Sequence, residues 1–223
     1  MADWHDVESD ERPAEAPEGD SSYRLGRLLA FSDGVFAIAI TLLVLNVPVP
    51  GLRHPSADAL RQALVATGGH VVTFAWSFGL VGLYWIFHHR LYARLRRVDG
   101  WLLWLNLLVL FTVCLIPFSA GVMGRYGDLV PAFEVYCGNL AALGVMFGAL
   151  QIYAVRRGLG DPRPARGREE VWLPLIFPAF LIVMMLVALW SPLQPSTLWL
   201  ACPAAWLLFR AGQLMRRRAA ARR

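Results

Sequence analysis

Six apolar blocks separated by short polar segments run along the chain: Leu28 to Val47, Ala63 to Phe87, Trp101 to Phe118, Phe133 to Val155, Val171 to Trp190 and Leu198 to Met215. A bilayer core about 30 Å thick takes about 20 helical residues to cross, and the first five blocks reach that length within the precision of their ends. The sixth is shorter and contains Arg210, a side chain long enough to snorkel to an interface. The breaks are chemically sensible. Pro48 and Pro50 end the first block, Asp99-Gly100 precedes the third, and Gly160-Asp161-Pro162 follows the fourth. The pattern predicts an all-α, polytopic membrane protein with six transmembrane helices.

Composition sharpens this. Of the 223 residues 57% are hydrophobic and only 17% charged, against about a quarter charged in a typical soluble domain. An ordinary soluble enzyme is excluded. No nucleophile–base arrangement, phosphate loop or Gly-x-Ser-x-Gly string is present either. The formal charge of +5 comes entirely from 21 arginines, with no lysine. It is unevenly placed: residues 1–20 hold eight acids against Arg12, and with Pro13 and Pro17 they have almost nothing to bury. Residues 1–22 therefore read as an acidic disordered tail, 23–215 as the membrane domain and 216–223 as a basic tail.

The arginines report topology. The N-terminal flank, the segments after the second and fourth blocks, and the C-terminus carry all of them except Arg53, Arg61 and Arg125. The positive-inside rule then places both termini of a multi-pass protein in the cytoplasm, in agreement with an even number of spans. The basic excess is thereby explained without nucleic acid as a partner.

The remaining candidate chemistry is sparse. Cys114, Cys137 and Cys202 share no close spacing and read as small buried apolar residues. His88-His89-Arg90 has no second set of ligands at metal spacing, so no metal or cofactor is expected. His70 reads as a packed residue. Trp101, Trp172, Trp190 and Trp199 read as interface anchors, and Gly138, Gly144 and Gly148 as sites of close helix contact.

The first block is the most informative. Asp33 lies inside it, and an aspartate in a membrane helix costs about 2.5–3.5 kcal/mol on insertion scales, so it needs a partner. Ile38, Thr41, Leu42 and Leu45 fall on one helical stripe, and Asp33 points roughly 140° away from it. Either the stripe faces a pore and Asp33 packs into the protein, or the stripe faces lipid and Asp33 faces the interior. Periodicity leaves both open.

Arg27-x-x-x-Phe31-Ser32-Asp33-Gly34-Val35-Phe36-Ala37-Ile38-Ala39 closely resembles the opening signature of the transmembrane-175 family of potassium channels. Tyr84-Trp85-Ile86-Phe87-His88-His89-Arg90-Leu91 and Leu103-Trp104-Leu105-Asn106-Leu107-Leu108, continuing to Leu115-Ile116-Pro117-Phe118, resemble its prokaryotic branch in the same order. Leu29 departs from the pattern, since many relatives are acidic there.

The resemblance implies a homotetramer around a central pore lined by the first helix. Ile38 would form the narrowest ring, Leu42 and Leu45 further apolar rings, and Thr41 a pore hydroxyl. Arg27, Ser32, Asp33, His88, His89 and Asn106 would form a structural polar network behind it. Potassium is the implied permeant ion. No Thr-Val-Gly-Tyr-Gly loop exists in the sequence, so moderate potassium preference would arise at a hydrophobic constriction rather than a carbonyl filter. The alternative from another class is a secondary transporter or proton-coupled carrier using Asp33 and the histidines.

Overall fold

The computed structural model describes residues 18–160 together with Ala179, Ile182, Val183, Met185 and Leu186. The fifth and sixth apolar blocks, both tails and Cys202 otherwise lie outside the described residues. Five α-helices make up the described chain: α1 (Glu18–Leu42), α2 (Ala57–Ala66), α3 (Gly68–Tyr92), α4 (Gly100–Tyr126) and α5 (Val130–Arg156). A 3₁₀ turn, Leu43–Asn46, continues α1. Four segments are long and apolar enough to cross a membrane: Tyr23–Asn46, Gly68–Tyr92, Gly100–Tyr126 and Val130–Arg156. The elements of the described residues are all helical, as the block pattern predicts.

Helix α1 is described from Glu18. One boundary differs from the expectation. The second block does not begin at Ala63. Residues 57–66 form a separate helix with no buried residue, broken from α3 at Thr67 and the pair Gly68-Gly69, which lack helix propensity. Ser56 caps α2 by accepting from the Ala59 amide at 3.1 Å.

Helix α4 is the centre of the bundle, packing on α1, α3 and α5. Its buried positions Leu102, Asn106, Val109, Val113, Ile116, Ala120 and Met123 alternate by four and three residues. Tyr136, Leu140, Leu143, Phe147, Leu150 and Ala154 repeat the same spacing on α5. This seven-residue rhythm is the seam of a coiled-coil-like pair. Of the three expected contact glycines, Gly144 and Gly148 are buried, whereas a Cβ on Gly138 would meet nothing within 4 Å among the described residues. The outward stripe of α4, comprising Trp101, Trp104, Leu108, Phe111, Leu115 and Phe118, is large and apolar throughout. A water-exposed helix does not carry such a continuous stripe.

The ends of the α4–α5 pair are tied together. Asp99 caps α4 by accepting from the Leu102 amide at 2.8 Å, and its other oxygen accepts from Tyr153 Oη at 2.7 Å. Helix α5 ends in a Schellman turn. Gly158 sits at φ +61°, its amide bonds the Val155 carbonyl, and the Leu159 amide bonds the Ala154 carbonyl. The Leu159 carbonyl in turn accepts from the Arg96 and Arg97 amides, clasping the α3–α4 connection to the end of α5.

Partial burial works against ionisation of Asp99. The Tyr153 hydroxyl, the Leu102 amide and the nearby Arg157 charge outweigh it and hold the carboxyl below its usual range. Asp99→Ala is expected to cost about 1 kcal/mol through loss of the cap, read as a lower melting temperature in detergent. With a depressed native value, the stabilisation is complete above the unfolded carboxylate value of about 3.9 and is lost as pH falls through the folded one. Wild-type and variant melting temperatures should converge on acidification, and a gap unchanged in acid would contradict the assignment.

Candidate functional site

Helix α1 has two unlike faces. Leu28, Ser32, Phe36, Ala39 and, in the 3₁₀ turn, Leu43 are buried against α3 and α4. On the other side Phe31, Ile38, Thr41, Leu42 and Leu45 are exposed, Ile38 by 62% and Leu45 by 75%. Four of these are the residues of the predicted stripe. The Thr41 hydroxyl donates to the Ile38 carbonyl at 2.9 Å, which consumes its proton and leaves its oxygen as an acceptor on the exposed face.

The buried face is held by the carboxamide of Asn106 on α4. Its Nδ2 donates to Ser32 Oγ at 3.1 Å, and Ser32 passes its own proton to the Leu28 carbonyl at 2.9 Å. Asn106 Oδ1 accepts from Tyr92 Oη at 2.9 Å and lies 2.8 Å from His88 Nε2. A carbonyl oxygen only accepts, so His88 must present Nε2–H there. The other ring nitrogen, Nδ1, is then a bare acceptor, buried without a hydrogen-bond partner among the described residues. The imidazole is stacked on Tyr92 with centroids 4.3 Å apart and meets Phe36 at 5.4 Å. One side chain thus joins α1, α3 and α4, all in fully buried positions.

Asp33 points elsewhere. Its carboxylate accepts from Trp85 Nε1 on α3 at 2.8 Å, and Trp85 stacks on His89 with centroids 5.7 Å apart. The expected network is therefore two groups: Ser32, Asn106, His88 and Tyr92 inside, and Asp33, Trp85 and His89 at the rim. Arg27 joins neither among the described contacts and lies over the Tyr23 ring, 5.7 Å from its centroid. Trp85 stands in the quoted motif with no role assigned to it, and Tyr92 lies one residue past its end. The usable signal was general, since a tyrosine O–H or tryptophan N–H in an apolar span needs an acceptor.

The other candidates stay structural. His70 packs on α4, its ring 3.2 Å from where a Cβ would stand on Gly124. Cys137 is buried, as expected, whereas Cys114 is exposed, because it falls on the outward side of α4. No group of three or more metal-ligating side chains converges among the described residues.

The sequence model of a family described as endosomal/lysosomal potassium channel TMEM175 matches residues 27–117. A protein of Streptomyces collinus named as a potassium channel is 40% identical over 143 residues, covering 62% of this chain and 68% of that one. The chain belongs to the TMEM175 family. This family is one of ion channels, not enzymes. The human protein named endosomal/lysosomal proton channel TMEM175 is 39% identical over 99 residues, 42% of this chain and 20% of the human one. The crystal structure of a protein from Chamaesiphon minutus, described as a lysosomal potassium-selective channel TMEM175 homolog, superposes with a TM-score of 0.66 at 28% identity. The match covers 86% of this chain and 97% of that one. The residues matched to the TMEM175 model contain the whole of α1 beyond Arg27 and the Asn106 hub.

Asn106→Ala strips Tyr92, His88 and Ser32 of a shared partner and should cost about 2–4 kcal/mol, since buried donors are left unpaired. Ser32→Ala removes one interhelical bond and should cost about 0.6 kcal/mol. Melting curves of the two variants in detergent check the order. Equal losses would show that Asn106 is not the hub.

Proposed function

We propose that this TMEM175-family protein is a cation channel of moderate potassium selectivity, with Ile38 as its hydrophobic constriction. The observation that carries the reading is the outward stripe Ile38, Thr41, Leu42 and Leu45, set on a helix whose own acid, Asp33, is turned back to Trp85. The family's channel names support potassium as the permeant ion. In this reading four chains assemble with α1 around a central path, and the fifth and sixth apolar blocks complete six spans. Both termini lie in the cytoplasm, following the arginine distribution, and the protein sits in the plasma membrane, as the resemblance to the prokaryotic branch implies.

The physics is that of an apolar neck. Isoleucine side chains cannot replace the hydration shell of an ion, so the ring gates by dewetting and selects by the cost of squeezing a partly hydrated ion past it. Potassium holds its water less tightly than sodium, which favours potassium by a modest margin. Thr41 adds an oxygen acceptor next to the neck, its proton being already committed to its own helix. A carrier centred on Asp33 and the histidines has less support, because Asp33 and His88 are engaged in holding α1 to α3 and α4.

Reconstituted protein under potassium and sodium gradients tests the reading. Wild type should give unitary currents with a reversal potential set mainly by potassium. Ile38→Asn should wet the neck, raising conductance about tenfold for a barrier about 1.4 kcal/mol lower, with a smaller potassium preference. Unchanged currents in that variant would remove Ile38 from the constriction. Asp33→Ala separates channel from carrier: a channel should lose folded protein in size-exclusion chromatography, whereas a carrier should assemble and lose coupling.

A further inference from the structure

The outer end of α1 is not α-helical. Its last four residues, Leu43–Asn46, form a 3₁₀ turn closed by the Val47 amide bonding the Val44 carbonyl at 3.0 Å. In such a turn residues three apart eclipse one another, and the hydrogen bonds are less well aligned than in an α-helix. Two columns result. Leu43 and Asn46 lie on the side of the bundle, where Leu43 is fully buried, and Leu42 and Leu45 lie on the exposed side. An α-helical path would rotate Leu45 by about 60° from Leu42.

Asn46 reaches across to α4. Its Nδ2 donates to the Pro117 carbonyl at 2.7 Å. Gly121, one turn further along α4, makes room for it: a Cβ there would stand 2.7 Å from Asn46 Oδ1 and 3.2 Å from Cγ. The seat is thus specific for a short carboxamide above a residue without a side chain. A weakly bonded turn with one strong external contact takes its geometry from that contact.

We propose that Asn46, seated on Pro117 and Gly121, is a positioning residue that holds the end of α1 in its tight turn and keeps Leu45 in line with Leu42 as the outer ring of the conduction path. The inference rests on the reading of α1 as the pore-lining helix. Asn46 touches no ion; it acts through the direction of Leu45.

The test uses the full chain, reconstituted, carrying Leu45→Cys in a background with Cys114, Cys137 and Cys202 replaced by serine. A charged methanethiosulfonate reagent should reduce the current of this protein. Asn46→Ala and the isosteric Asn46→Asp, which cannot donate, should each change the modification rate and unitary conductance by about fivefold, the effect of losing one neutral hydrogen bond. Gly121→Ala should produce a defect of the same kind that adds little when combined with Asn46→Ala, because the clash needs the carboxamide. Modification rates and conductance unchanged by both Asn46 variants would overturn the inference alone, as would a Gly121→Ala defect that adds fully to that of Asn46→Ala. A reagent without effect on the Leu45→Cys current would overturn the pore reading and the inference with it. Should Asn46→Asp fold poorly, the Gly121→Ala and Asn46→Ala combination still decides.

Discussion

Inside a bilayer no water satisfies a stranded polar group, and the described bundle is organised around that constraint at one residue, Asn106. Its carboxamide takes protons from Tyr92 and His88 of α3 and gives one to Ser32 of α1. Each of these bonds is directional, so meeting them together sets how α1 is rotated about its axis. With Ser32 turned inward, helical geometry turns Ile38, Thr41 and Leu42 outward. The polar hub and the apolar stripe are therefore two consequences of one rotation. The Asp33–Trp85 bond secures the same rotation from the neighbouring position.

The hub needs a stiff support, which the α4–α5 pair supplies. Its apolar seam recurs every seven residues, and its ends are closed by the Asp99–Tyr153 bond and the Schellman turn at Gly158. Helices α1 and α3 lean on α4 with fewer buried positions of their own. A support that is rigid and apolar lets a few polar contacts orient the more exposed helices. At the opposite end of α1, Asn46 and Pro117 provide a second fixed point.

Much of this was legible beforehand. Hydropathy alone locates the four described spans, because crossing a bilayer demands about 20 apolar residues whatever they pack on. Ser32, Asp33, His88 and Asn106 stand out because polar groups in an apolar block demand partners, and three of them do meet. Other features were not legible. Arg27, placed in the network by resemblance to a motif, lies over the Tyr23 ring among the described contacts, which its sequence position does not announce. The break at Thr67 and Gly68 lies inside a stretch that reads as one apolar block. Asn46 is one ordinary amide at a block's end until Pro117 and Gly121 are brought beside it from 71 and 75 positions away in sequence.

The sequence by itself determined that the chain is helical, that it spans a membrane, and that the first helix carries an apolar stripe opposite its acid. Those properties depend on composition and on local periodicity, which a linear string contains in full. Only the tertiary structure decided which face of that helix turns toward the bundle and which is left free. That choice depends on hydrogen bonds between residues far apart in the chain, and periodicity carries no information about the partner on the other side.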